Sequence, residues 1–274
     1  MSRIRSTFES LASRRDGAYV PYICAGDPDN EFTIELANRI CNAGADVLEL
    51  GLPFSDPMAD GPAIQEAMGR SLSAGFKMTD TFKILSSIRR ANPKQPVVLM
   101  TYYNPVLQFG VGRFCDELAN AGGDGILVVD LPIEESEELE EAAAASSLDI
   151  IRLVTPTTTD QRLDALLSKA SGFIYIVSIA GVTGARDSFA DSTAQLMRRV
   201  RTKTKLPAVI GFGISQPDHV RMALASGASG VVEGSALISK YAPLLSERKR
   251  ALEVAEGHAR EMKSATSRSS DMSV

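Results

Sequence analysis

The chain of 274 residues has no tryptophan, only two histidines and only three cysteines. His219 and His258 are too few to build a histidine metal centre, and both read as surface helix residues, which argues against a Ser-His-Asp triad as well. Cys24, Cys41 and Cys115 stand apart in the sequence. They fit neither zinc-ligand spacing nor a disulfide framework and read as reduced thiols of a cytosolic protein. An excess of basic charge is also missing: 29 Lys and Arg against 34 Asp and Glu leave a net charge of −5, which argues against nucleic acid or an anionic membrane as partner. No apolar run approaches the roughly 20 residues of a membrane-spanning helix. The N-terminus lacks the apolar core of a secretory signal. Ile4, Phe8 and Leu11 recur there at helical spacing and predict a short structural helix. Neither a Walker A sequence nor a glycine fingerprint after the first strand occurs. What chemistry the chain performs therefore falls to carboxylates and a tyrosine.

What is present is a repeated unit. Short apolar runs, each followed by a helical stretch, predict strands at Tyr19–Cys24, Asp46–Leu50, Val97–Tyr102, Gly125–Asp130, Ile150–Thr155, Phe173–Ile179, Ala208–Gly211 and Gly230–Glu233. The runs are apolar on both faces, the mark of parallel strands covered on both sides. Glycines at Gly44, Gly122, Gly172 and Gly227 stand just before strands, where a left-handed cap ends the preceding helix. Eight such units point to a closed (β/α)8 barrel over residues 1–263, followed by a polar, frayed tail over 264–274.

The most informative stretch runs from Glu49 to Pro62, from inside an apolar strand into a Gly/Pro-rich loop. If Leu48 and Leu50 face the helices, Val47 and Glu49 face the barrel interior. A carboxyl group buried there has a raised pKa and exchanges protons near neutral pH. Asp60 follows on the loop, and two acids in different environments suggest a division of labour. Taken alone, each has a plain structural reading: Glu49 as a hydrogen-bonded core acid, Asp60 as a turn cap. Asp130, at the end of the fourth strand, is a rival acid. Glycine-rich turns at Gly181–Gly184, Gly211–Ser215 and Gly234–Ala236 follow the sixth, seventh and eighth strands, where barrels often hold a phosphate on backbone N–H groups. Tyr22, Met100, Leu127, Val129, Leu153, Tyr175 and Phe212 lie on strands or strand ends. They read as core residues singly and as a slot for a flat ring together.

These motifs resemble the tryptophan synthase alpha subunit family. The Glu49–Pro62 stretch is the specific part, and Ala25–Pro28, Met100–Pro105, Val129–Pro132, Gly181–Gly184, Gly211–Ser215 and Gly234–Ala236 follow in the family's order, over roughly residues 19 to 240. The resemblance implies retro-aldol cleavage of indole-3-glycerol phosphate to indole and D-glyceraldehyde 3-phosphate, without metal or cofactor in this chain. By the same resemblance Glu49 is the acid/base, Asp60 accepts the indole N–H, and Tyr175 assists at the reacting end. Gly184, Gly213, Gly234 and Ser235 hold the phosphate; Tyr22, Met100, Leu127, Val129, Leu153 and Phe212 line the indole pocket. Thr183 belongs to a closing lid. It further implies a cytoplasmic α2β2 complex with a beta subunit that carries pyridoxal phosphate, faced by Pro53–Asp60, Asn104-Pro105 and Pro132. The chain departs from the family pattern at Ile179-Ala180, at Tyr22 where phenylalanine is common, and in its longer polar tail. Two other readings stay open: a different phosphate-binding barrel, which leaves the aromatic slot without a purpose, and a non-catalytic regulatory subunit, which does not need both acids.

Overall fold

The computed structural model describes residues 2–177, 191–211 and 213–267. Its strands are β1 (Ala18–Cys24), β2 (Leu48–Gly51), β3 (Val97–Thr101), β4 (Gly125–Val128), β5 (Asp149–Ile150), β6 (Arg152–Val154), β7 (Ile174–Val177), β8 (Ala208–Gly211) and β9 (Gly230–Glu233). All pair in parallel, in the order β5-β4-β3-β2-β1-β9-β8-β7-β6. The two ends of that order are halves of one predicted strand. It pairs with β4 through Ile150 and with β7 from Arg152 onward, switching partner at Ile151. The sheet therefore closes on itself as a (β/α)8 barrel with eight strand positions.

Side chains alternate as the pattern requires. Val20, Val47, Val98, Leu127, Ile151, Tyr175, Val209 and Val232 meet inside the barrel, while Ile23, Leu48, Leu50, Leu99, Ile126 and Ile210 pack outward against the helices. The predicted N-terminal helix forms as Arg3–Arg14, and its Ile4, Phe8 and Leu11 join the interior cluster. It plugs the end of the barrel where the strands begin. The second strand starts at Leu48 rather than Asp46; Asp46 still donates its N–H to the Tyr19 carbonyl at 2.9 Å, while its carboxylate accepts the Tyr19 N–H at 2.8 Å and a hydrogen bond from Lys263 at 2.7 Å.

Asp124, just before β4, fastens the same end. Its carboxylate accepts from Arg3 at 2.7 Å, Arg89 at 2.6 Å and the Val97 N–H at 2.8 Å, and it is only 3% exposed. Replacing it leaves the charge of the largely buried Arg89 uncompensated, with only the carbonyls of Gly122, Asn92, Pro93 and Gln95 to accept from it among the described residues, and unpins the Val97 N–H. Asp124→Ala is expected to lower unfolding stability in urea by about 3 kcal/mol. Specific activity of the folded fraction should stay unchanged, because Asp124 lies at the end of the barrel opposite the strand C-termini.

Two sequence expectations are corrected here. His258 is not a surface residue: it is 8% exposed and its Nε2 lies 2.6 Å from Glu233 Oε1, while Tyr19 donates to Glu233 Oε2 at 2.6 Å. It shares one stripe of the helix Arg248–Ser264 with Ala251, Ala255, Ala259 and Met262, so the apolar face carries it inward to meet the outward-facing Glu233. The first residues of the expected tail are ordered: Ser264 ends the helix Arg248–Ser264. Ala265 and Thr266 are buried, and the Thr266 carbonyl accepts the Gly17 N–H at 2.9 Å. Residues 268–274 lie outside the described residues.

Among the described residues no helix is long and apolar enough to cross a membrane.

Candidate active site

The candidate residues gather at the strand C-terminal ends. Glu49 points into the barrel from β2, in register with Tyr22 of β1 and Val98 of β3. It is 1% exposed, and its Oε2 has no hydrogen-bond partner among the described residues. Burial, reinforced by the nearby Asp60 charge, pushes its carboxyl up to about 8. With a pKa of about 8 the group is mostly protonated at neutral pH.

Asp60 is held from several directions on the loop between β2 and the helix Pro62–Ser73. The Tyr102 hydroxyl donates to Asp60 Oδ2 at 2.6 Å and accepts the Ala59 N–H at 3.0 Å. Gln65 Nε2 donates to the Asp60 carbonyl at 2.8 Å, and the Asp60 N–H donates to the Pro57 carbonyl at 3.1 Å. Burial raises the Asp60 pKa and the Tyr102 hydrogen bond works against that rise. Asp60 is only half-buried, and its second carboxylate oxygen stays available for an N–H donor.

Tyr102 escaped the sequence reading. Its signal was present: it follows β3 two positions after the inward-facing Met100, within reach of the Asp60 loop. Tyr102→Phe removes the hydroxyl donor to Asp60 and orphans the Ala59 N–H. A roughly tenfold fall in turnover is expected in steady-state assays, with little change in folding.

Two tyrosines fill the upper barrel where glycine leaves room. A Cβ on Gly51 would sit 2.1 Å from the Tyr22 hydroxyl oxygen, and one on Gly211 would sit 2.2 Å from that of Tyr175. Both rings are buried, and burial lifts both phenol pKa values well above the usual range. The Tyr175 hydroxyl also feels the Glu49 and Asp60 charges, so it keeps its proton. Among the described residues Glu49 Oε2 has no hydrogen-bond partner, and the Tyr22 hydroxyl meets only the thiol of Cys24. The two polar atoms stand on paired strands at one level of the barrel, Tyr22 opposite Glu49. Leu127 belongs to the interior cluster, and Met100, Val129 and Leu153 pack against it, giving the site an apolar wall.

On the far side, Gly213 has a positive φ of 78° and Gly234 backs onto Tyr22 and Ile64. Ser235 is exposed and opens the helix Ser235–Tyr241. Its Oγ is 3.8 Å from where a Cβ on Gly61 would stand, so this turn lies beside the Asp60 loop. His219, half-buried, accepts the Ser215 N–H on Nδ1 at 3.3 Å and steadies the loop after β8. The rival acid Asp130 is exposed and accepts the Tyr103 N–H at 2.7 Å, a helix-capping arrangement. Thr183, Gly184 and Phe212 lie outside the described residues.

A closed parallel barrel with its acids at the strand C-terminal ends defines the class: a (β/α)8-barrel enzyme. The family model for tryptophan synthase alpha chain matches residues 8–267. The tryptophan synthase alpha chain of Chloroflexus aggregans is 47% identical over 269 residues, covering 98% of this chain and 99% of the relative. That of Gluconacetobacter diazotrophicus is 47% identical over 251 residues, covering 92% and 91%. Among solved structures, the alpha subunit from Legionella pneumophila str. Paris superposes with a TM-score of 0.88 at 35% identity, covering 97% of this chain and 98% of that one. A chain of the tryptophan synthase α2β2 complex from Pyrococcus furiosus superposes with a TM-score of 0.83 at 40% identity, covering 90% and 98%. The chain belongs to the tryptophan synthase alpha chain family.

Proposed function

We propose that this chain cleaves indole-3-glycerol phosphate to indole and D-glyceraldehyde 3-phosphate, a retro-aldol reaction in which the indole ring is the electron sink. The observation that carries the reading is Glu49: buried, with one oxygen unpartnered and its carboxyl pushed to about 8. Its proton goes to ring carbon C3, leaving a carboxylate. That carboxylate takes the proton of the side-chain hydroxyl next to the ring. The carbon–carbon bond breaks, its electrons return to the ring as indole, and the former hydroxyl carbon becomes the aldehyde. One proton is given and one recovered, so a single group closes the cycle. The ring supplies what a metal or cofactor would otherwise supply.

Asp60 accepts the ring N–H and stabilises positive charge that develops on the ring when C3 is protonated. Tyr102 holds it in the orientation this requires. Tyr175 donates to oxygen at the reacting end. Gly184, Gly213, Gly234 and Ser235 bind the phosphate, and Tyr22, Met100, Leu127, Val129, Leu153 and Phe212 line the ring pocket. Thr183 belongs to a lid that excludes water and commits the substrate.

The chain acts in a cytoplasmic α2β2 assembly with a tryptophan synthase beta subunit, which holds the pyridoxal phosphate and converts indole to tryptophan. Support for the docking face comes from Met58, 93% exposed on the Asp60 loop, and Leu107, 49% exposed beside Pro105. Exposed large apolar side chains beside an active site suit a surface that a partner covers. The test is indole release from indole-3-glycerol phosphate by the purified chain, with and without the beta subunit. Slow release alone and faster release with the partner is the expected result. A folded chain that binds the substrate and releases no indole in either condition contradicts the reading.

A further inference from the structure

Asp27 takes no part in the chemistry above, yet it is fully buried at the site's edge. It follows β1 on the loop Ala25–Pro28. Arg70 donates to both its oxygens, Nε to Oδ1 at 2.7 Å and Nη2 to Oδ2 at 2.9 Å. The Tyr241 hydroxyl donates to Oδ2 at 2.9 Å. Arg70 belongs to the helix Pro62–Ser73, which starts directly after Asp60 and Gly61. Tyr241 ends the helix Ser235–Tyr241, which starts at the candidate phosphate turn.

The two helices pack against each other, with Ile64 Cδ1 3.4 Å from where a Cβ on Gly234 would stand. At the site their first residues lie side by side, Gly61 facing Ser235. Helical rise puts Arg70 roughly 12 Å behind Pro62 and Tyr241 roughly 9 Å behind Ser235. One buried carboxylate therefore bolts the far ends of two helices whose near ends carry the ring-binding acid and the phosphate turn. The loop bearing Asp27 is itself pinned to the first helix, since Ser71 Oγ donates to the Ala25 carbonyl at 2.7 Å and Gly26 leaves no room for a side chain against Phe76 and Ser71.

We infer that Asp27 is a positioning residue that sets the spacing between Asp60 and the Gly234-Ser235 turn, and so tunes the site to a ligand that spans both. The inference rests on the proposed reaction, in which one substrate joins an indole ring to a phosphate. A spacer makes a distinctive demand: loosening it weakens the ligand that bridges the two ends and spares ligands that occupy one end only. General damage to the site weakens all of them.

The test compares wild type, Asp27→Asn, Tyr241→Phe, Arg70→Lys and Arg70→Ala, each checked for folding by circular dichroism and thermal melting. Three constants are read: KM for indole-3-glycerol phosphate, and inhibition constants for inorganic phosphate and for indole. Asp27→Asn is expected to raise KM about tenfold, with kcat and both inhibition constants within about twofold. Tyr241→Phe should raise KM in the same direction and by less, because the Arg70 fork remains. Arg70→Lys should recover part of what Arg70→Ala loses. If Asp27→Asn does not fold, Tyr241→Phe and the Arg70 pair carry the comparison. An unchanged KM in the folded variants, or a parallel rise of all three constants, overturns the inference. A wild type that releases no indole overturns the reaction it rests on, a different failure.

Discussion

Glu49→Gln should fold as the parent does and lose indole release by about a thousandfold or more, because the amide neither gives nor recovers the proton. The replacement keeps the shape of the side chain in a position that is 1% exposed, so packing is preserved. A second consequence separates this from a merely damaged barrel. Burial holds the Glu49 carboxyl at about 8 in the fold against the ordinary 4.5 of an exposed glutamate, so the folded chain holds the proton more tightly than the unfolded chain. The stability this contributes is fully present below pH 4.5, declines as the unfolded chain ionises, and is gone once pH passes about 8. Urea unfolding at pH 5 and pH 9 should therefore show Glu49→Gln gaining on the parent as pH rises. A variant with near-parental turnover, or one whose stability tracks the parent across this range, sinks the assignment of Glu49.

Asp60→Asn should lower kcat for cleavage by about a hundredfold, since the group left facing the ring N–H is an amide nitrogen that cannot accept it, and positive charge on the ring is no longer offset. Tyr102 can still donate to the amide oxygen, so the loop should keep its place. The substitution also removes the second cause of the Glu49 shift, leaving burial alone. The alkaline limb of the cleavage profile should consequently move to lower pH than in the parent. Steady-state kinetics across pH reads both effects together. A normal kcat with only KM raised would reduce Asp60 to a binding group.

The barrel was legible because its strands are apolar on both faces and half of them are entered through a glycine turn, at Gly44, Gly122, Gly172 and Gly227. Glu49 stood out for the opposite reason, as an acid where an aliphatic residue would fit. Asp60 was legible from its place on the Gly/Pro-rich loop that follows the strand and from the family resemblance of the whole stretch. The partners of these acids were harder to see. Tyr102 touches Asp60 across 42 positions of sequence, and nothing local marks a tyrosine as a hydrogen-bond donor rather than a core ring. His258 reads as polar and terminal, and only the outward turn of Glu233 on β9 makes a buried place for it. The break at Ile151 is also a property of closure: a strand changes partner there because the sheet must meet its own end, and no periodicity within the strand announces it. The Asp27 bolt joins three segments far apart in sequence, each with an ordinary look of its own.

The most direct test of the account is the pH dependence of kcat/KM for indole release by the chain alone, followed from pH 5 to 10. This parameter reports ionisations of the free enzyme and the free substrate; the substrate phosphate, with a pKa of about 6, shapes the acid side of the profile and leaves the alkaline side to the enzyme. A single alkaline limb centred near 8, where buried Glu49 gives up its proton, is the result the account requires. A profile that stays flat through that range would mean that a protonated Glu49 is not the acid of the reaction.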